Sequence, residues 1–326
     1  NNTNNLINKY QEEIKEFENI IEKDYTNTCG IVVMKDNKLI YENYYNKCDK
    51  ENKIHIYSIT KSIISILIGI AIDKGYIKNI DENILNFFPD YKVQDNEKTI
   101  QNIKLKDIMS MIVPYKFKEE PYVEYFTSDN HLKFCLDLLG GDENIGQFRY
   151  APVIGPDILS GVISNSTNQS VLDFARENLF KPLGINIDGN IIFNSAEEQF
   201  AFNQSVDING WVCDKSELNT AGWGLTLSPT DMAKIGQLYL NGGVFNCKKI
   251  VSTDWIKKST SVHSKFNDLS YGYLWWILDS FAALGDGGNT LYVNKAKNIV
   301  ISITSLFVPN AKDRIDLIKR YIEPSF

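Results

Sequence analysis

Ser58 and Lys61 stand three residues apart in Tyr57-Ser58-Ile59-Thr60-Lys61-Ser62, directly ahead of the apolar run Ile63 to Ile72. On a helix that spacing is just under one turn, so both side chains share a face with Cβ atoms roughly 5–6 Å apart. Ser58 then falls in the first turn, where backbone N–H groups lack partners and the helix dipole favours negative charge. A hydroxyl, an amine able to take its proton and an electropositive helix start are the parts of an activated nucleophile. The plain alternatives are a serine that caps and a lysine that reaches solvent. The apolar run leaves Lys61 little solvent face, which favours the chemical role. The pattern S-x-x-K occurs nowhere else in the chain.

Other chemistries find less support. His55, three residues before Ser58, and His263 invite a Ser-His-Asp reading, but no serine sits in G-x-S-x-G and a lone histidine is more often structural. The five cysteines are scattered, odd in number and lack C-x-x-C, which fits neither a disulfide framework nor a zinc site. No metal or cofactor is expected. The cysteine usage points to a reducing, cytoplasmic compartment; removal of an N-terminal signal would instead place the protein at the cell surface or outside. A net charge of -7 argues against binding a phosphate backbone. Ile63 to Ile72 is too short for a membrane span and reads as a buried helix. Gly285-Asp286-Gly287-Gly288 is a turn or close-approach signal without the lysine of a phosphate loop.

The elements that must hold Ser58 and Lys61 follow from periodicity. Leu6 to Ile21 has apolar residues at helical spacing. Cys29–Met34 and Lys38–Tyr45 form a hairpin across Lys35-Asp36-Asn37. From Gly75 onward helices alternate with long polar loops, including Ile103–Met111, Asp157–Ile163 and Ser170–Phe180. Ser228, Pro229 and Asp231 open a further helix with serine at N-cap, proline at N1 and aspartate at N3. Strands return at Tyr271–Leu278, Asn289–Val293 and Asn298–Thr304, before a last helix at Asp313–Ile322. The expected class is α+β. An antiparallel sheet built from both chain ends (1–75 and 250–326) is flanked by helices, a helical domain (76–249) is inserted, and the site lies in the cleft between them.

This ordered set resembles the serine β-lactamase and penicillin-binding-protein-like hydrolases, in particular the class C-like branch with esterases and D-amino-acid peptidases. Tyr57–Ser62 carries the resemblance, together with Leu179–Ile185, Ala221-Gly222-Trp223-Gly224-Leu225, Ser228–Gly243 and Tyr271–Trp276. It extends from roughly Gly30 to the last helix. The family's Tyr-x-Asn element matches Tyr150-Ala151-Pro152, with proline in place of asparagine. Proline has neither side-chain amide nor backbone N–H, which disfavours β-lactam or peptide-amide recognition. The family's Lys-Thr-Gly element aligns with Ser280-Phe281-Ala282, without the cation, which implies neutral substrates.

The resemblance implies acyl transfer through a covalent acyl-enzyme on an ester, amide or β-lactam carbonyl. Ser58 is the nucleophile, with Lys61 and Tyr150 as the groups that take its proton. The backbone N–H groups of Ser58 and Ala283 form the oxyanion hole. Trp223 and Gly285 line the substrate pocket. The partner is a small-molecule or peptide-like acyl substrate, and the oligomeric state stays open. Two other readings remain: a β-lactamase or D-alanyl carboxypeptidase, and a penicillin-binding or wall-sensing module that acylates without turnover, or an inactive homologue.

Overall fold

A computed structural model describes residues 2–326, with side-chain surroundings from Tyr10 onward. Helix α1 (Asn2–Asp24) contains the predicted amphipathic segment, of which Leu6 and Ile7 fall outside the described side chains. The predicted hairpin forms as β1 (Thr28–Lys35) and β2 (Lys38–Tyr44). Asp36 and Asn37 take φ of 51° and 64° in its two-residue turn. Such turns need positive φ at both positions, and Asn and Asp tolerate it better than other side chains.

Six further strands come from the C-terminal part: β3 (Ser264–Phe266), β4 (Leu269–Tyr271), β5 (Trp276–Ile277), β6 (Phe281–Gly285), β7 (Asn289–Asn294) and β8 (Ile299–Ser305). The sheet runs β2-β1-β8-β7-β6-β5-β4-β3, antiparallel throughout, so the two chain ends meet at the β1–β8 pair. The strand expected over Tyr271–Leu278 is instead a tight hairpin. Leu274 adopts a φ of 68°, the Gly272 N–H reaches the Trp275 carbonyl at 2.8 Å, and Tyr271 pairs with Trp276. Aromatic content signalled strand, but it carried no mark of the turn.

The period of two along each strand divides the core. Ile31, Val33, Ile299, Ile301 and Ile303 face one side, where Phe17 and Ile21 of α1 and Leu317 of α5 (Arg314–Leu317) cover them. Val32, Val300, Leu291 and Val293 face the other side and join the core that surrounds α2 (Ile59–Asp73). The helix with the Ser-Pro-x-Asp start is α4 (Pro229–Leu240), and its capping box forms as the sequence predicts. Although it lies within 76–249, α4 packs on the sheet. Ser302 Oγ donates to the Pro229 carbonyl at 2.7 Å, and a Cβ on Gly236 would stand 2.5 Å from Val300. The sheet layer thus regains the chain at Pro229, earlier than residue 250. On its other side α2 meets α3 (Asp157–Thr167).

Seven Ile and Leu residues of α2 are at most 1% exposed: Ile59, Ile63, Ile64, Ile66, Leu67, Ile68 and Ile70. At about 1.5–3 kcal/mol each, their burial amounts to about 10–20 kcal/mol. Burying a charged lysine costs several kcal/mol. The apolar face therefore decides where α2 sits, and Lys61 is carried into the interior with it.

Packing also overrides helix propensity inside α2. Alanine is intrinsically the better helix former at Gly69 by about 1 kcal/mol, yet a Cβ there would lie 2.2 Å from the Trp255 indole. We expect Gly69→Ala to destabilise by about 1–3 kcal/mol in urea unfolding. An unchanged or raised midpoint would show that Trp255 moves aside freely.

Candidate active site

Ser58 occupies the N-cap position of α2, between Tyr57, whose φ is 53°, and the first helical turn, but its side chain makes no capping hydrogen bond. The Tyr57 ring is sandwiched between His55, with centroids 3.9 Å apart, and Phe307 at 5.7 Å. This stacking holds a left-handed residue that its own propensity would not favour. His55 does not act on Ser58. It is buried, its Nε2 accepts from the Gly224 N–H at 2.8 Å and its Nδ1 donates to Asn203 Oδ1 at 2.8 Å. Burial lowers its pKa to about 3, so it stays neutral. His263 bonds the Lys258 carbonyl and stacks on Tyr273.

Lys61 is 2% exposed, and its Nζ meets three oxygens: Ser58 Oγ at 2.9 Å, the Pro152 carbonyl at 2.7 Å and the Gly222 carbonyl at 2.9 Å. Burial lowers its pKa to about 7, against the opposing pull of Asp286, Glu120 and Asp157. The chemistry of those oxygens matters. Both carbonyls can only accept, whereas the Ser58 hydroxyl can donate. An ammonium satisfies the three oxygens by donating to each, whereas a neutral amine gives two N–H bonds to the carbonyls and turns its lone pair to the Ser58 hydroxyl; burial favours the second arrangement.

Tyr150 is half-buried on the opposite wall, with its ring centroid 5.1 Å from Lys61 Nζ. Its loop is held by Arg149, which donates to the Phe117 carbonyl at 2.6 Å and lies over the Tyr115 and Phe117 rings. Burial pushes the Tyr150 phenol up to about 12, although the Ser58 hydroxyl beside it pulls the other way. Pro152 replaces an amide side chain, yet its backbone carbonyl is one of the two that hold Lys61.

The strand beside Ser58 departs from the expected register. A Cβ on Gly285 would stand 2.2 Å from the Ile56 carbonyl oxygen and 3.3 Å from the Ser58 nitrogen. The backbone that abuts the nucleophile is therefore that of Gly285, at the end of β6. Ala283 lies two residues upstream, about 6–7 Å along a strand, buried in the core and paired with Leu291. Ser280-Phe281-Ala282, aligned with the Lys-Thr-Gly element by its distance from Gly285, Gly287 and Gly288, thus lies upstream of this contact, and no lysine stands between Ser280 and Gly288. Asp286, next in sequence, is exposed and faces Lys61, Tyr150 and Tyr57 electrostatically.

Trp223, expected to line the substrate pocket with Gly285, borders instead a separate cavity of about 260 Å³ with Phe126, His131 and Phe193, which none of Ser58, Lys61, Tyr150 or Gly285 lines; its Nε1 donates to Tyr125 Oη at 3.1 Å. Residues the sequence did not single out also converge on Lys61: Asp157, Glu120 and Asp286 through their charges and Gly222 through its carbonyl. Nothing short of the fold could align them, because they come from segments far apart in the chain and reach Lys61 through a backbone carbonyl or through space.

An antiparallel sheet with a helical layer, and a Ser–Lys pair at the start of a buried central helix, define a serine hydrolase of the acyl-enzyme kind. A family model described as Beta-lactamase matches residues 17–323, and the chain belongs to that family. Among similar proteins, the 6-aminohexanoate-dimer hydrolase of Paenarthrobacter ureafaciens is 19% identical, covering 90% of this chain and 76% of its own. The octameric penicillin-binding protein homologue from Pyrococcus abyssi superposes with a TM-score of 0.72 at 17% identity, covering 98% and 77% of the two chains. A family VIII carboxylesterase superposes with a TM-score of 0.70 at 13% identity, covering 96% of each.

The close approach at Gly285 yields a sharp expectation. Gly285→Ala forces β6 away from Ser58 and should cut hydrolysis by about 10²-fold or more, the scale of losing an oxyanion donor. The far-UV circular dichroism should stay native. Full activity in the alanine variant would remove Gly285 from the site.

Proposed function

We propose that the protein hydrolyses an ester or amide that carries no carboxylate beside the scissile bond. Ser58 Oγ attacks the carbonyl carbon as its proton passes to the neutral Lys61 Nζ. The Ser58 N–H and the backbone N–H at the Gly285–Asp286 strand end stabilise the tetrahedral oxyanion. On collapse the C–O or C–N bond breaks, and the leaving alcohol or amine takes the proton from Lys61. Water, deprotonated by Lys61 in turn, attacks the acyl-enzyme, releases the acid and restores Ser58. The observation that carries this reading is the buried Lys61 amine, 2.9 Å from Ser58 Oγ, with its other two contacts made to carbonyl acceptors.

Relative pKa values favour Lys61 over Tyr150 as the base. Lys61 lies at about 7, near a working pH, whereas Tyr150 lies at about 12. Tyr150 then serves as a hydrogen-bonding wall beside Ser58 and Lys61.

The substrate preference rests on charge. Relatives of the class C-like branch place a lysine where a substrate carboxylate binds; here Ser280 to Gly288 contains no cation, and Asp286 follows Gly285. Glu120, whose Oε2 is buried without a partner, adds a second acidic group facing Lys61. A carboxylate substrate would be repelled, and Pro152 offers no amide to a β-lactam side chain. Family VIII carboxylesterase is the name of one similar structure, which agrees with an ester carbonyl.

Incubation with p-nitrophenyl butyrate, a chromogenic cephalosporin and a fluorescent penicillin tests this reading. Ester turnover should predominate and fall on the order of 10³-fold or more in Ser58→Ala. A stable penicillin adduct without turnover would instead identify an acyl-binding module, and an active Ser58→Ala would end the mechanism.

The pH dependence follows from Lys61. Its folded pKa lies below the ordinary lysine value, and the neutral form is the working one. kcat/KM for the ester should therefore fall as pH drops through about 7 and stay level above it. Lys61→Arg, always charged, should remove the activity at every pH.

A further inference from the structure

Two loops hold Lys61, and one buried carboxylate ties them together. Pro152 belongs to the loop that carries Tyr150 and leads into α3, whose first residue is Asp157. Gly222 belongs to the segment Ala221-Gly222-Trp223. The loops are in contact, since a Cβ on Gly222 would lie 3.0 Å from the Pro152 carbonyl and 3.3 Å from that of Val153. Asp157 is 0% exposed. Its Oδ1 accepts from the Ala221 N–H at 2.8 Å, and its Oδ2 accepts from Tyr125 Oη. Tyr125 Oη in turn accepts from Trp223 Nε1 at 3.1 Å, so the residues on both sides of Gly222 are fastened to the same carboxylate. His131 completes the surroundings, with Nδ1 3.5 Å from Asp157 Oδ2 and its backbone N–H donated to Asp214 Oδ2 at 2.8 Å.

We propose that Asp157 is a positioning residue that holds the Pro152 and Gly222 carbonyls at the distances that keep Lys61 fixed and dry. This inference rests on the reading of Lys61 as the base. Asp157 lies at the α3 N-terminus, so it transmits the position of a long packed helix to both loops. Without it, the Ala221 N–H loses its acceptor and Tyr125 loses its tie to α3, so the Gly222 segment is no longer fastened to the helix that follows Pro152. The loops then separate, water reaches Lys61 Nζ, and the amine returns toward its ordinary protonation.

The charged and titratable groups that bear on this are few. Asp286, Glu120 and Asp157 face Lys61, with the Tyr150 ring beside it. Tyr125, His131, Asp214 and Cys135 surround Asp157. Loss of the Asp157 charge alone would move Lys61 slightly downward, since Asp157 opposes the burial effect. Rehydration moves it upward, and burial is the largest influence on Lys61. The upward direction therefore dominates.

The experiment compares wild type with Asp157→Asn and Tyr125→Phe in the full chain. Asp157→Asn should lose about ten- to hundred-fold in ester kcat at neutral pH, the scale of a small misplacement. Its acid limb should rise above about 7, so the deficit shrinks in alkaline buffer. Tyr125→Phe should shift the limb the same way by less, and the double variant should be non-additive. NMR titration of the Lys61 side chain gives the same answer without turnover, as an upward pKa shift in both variants. A folded variant with an unmoved Lys61 pKa, or with a deficit equal at every pH, would show a merely structural role and overturn the inference. If Asp157→Asn does not fold, Tyr125→Phe decides by the same criteria. An inactive wild type would sink the hydrolase reading while the NMR titration still judged Asp157.

Discussion

The interior position of one amine governs this molecule. Lys61 is drawn inside because the Ile and Leu residues around it in α2 gain far more by burial than a single lysine loses. Once inside, the amine needs acceptors, and the structure supplies two backbone carbonyls and one hydroxyl. Those partners fit a neutral amine, and burial moves Lys61 toward neutrality near pH 7. The same act that completes the core therefore leaves an amine of lowered pKa beside Ser58. Stability and reactivity are not separate requirements at this position.

Most of the site around that pair is backbone. Pro152 and Gly222 contribute carbonyls, and Gly285 contributes a surface without a side chain. This explains how a member of the β-lactamase family can lose both an asparagine and a lysine characteristic of its class C-like relatives and keep a complete Ser58–Lys61 arrangement. Asp286 and Glu120 are the acidic groups that face Lys61 across the cleft.

Histidine and tyrosine illustrate how context decides role. His55 lies near Ser58 in sequence, but both its ring nitrogens are committed to Asn203 and Gly224. Its work is to brace Tyr57, which in turn sets the path of the chain into Ser58. Tyr150 has a hydroxyl beside Ser58, yet burial pushes its pKa to about 12, which is why Lys61 and not Tyr150 is the proposed base. Trp223 presents one face to a cavity and spends its N–H on Tyr125.

The sequence by itself determined the elements whose causes are local. The β1–β2 hairpin follows from Asp36-Asn37, the start of α4 from Ser228-Pro229-Asp231, and the Ser58–Lys61 face from helical spacing. The order of these elements also carried the family and the antiparallel sheet built from both chain ends. Tertiary structure alone decided what local chemistry does not encode. A carbonyl looks the same in every residue, so the clamp of Pro152 and Gly222 on Lys61 left no mark in the sequence. The partner of the Ser58 N–H depended on strand register; with three glycines within four residues, Gly285 could be told from its neighbours only by its contact with Ile56 and Ser58. The turn at Gly272–Leu274 and the placement of α4 on the sheet were likewise set by packing. Short-range spacing was legible because it is a property of one helix or one turn, whereas long-range register is a property of how separate segments meet.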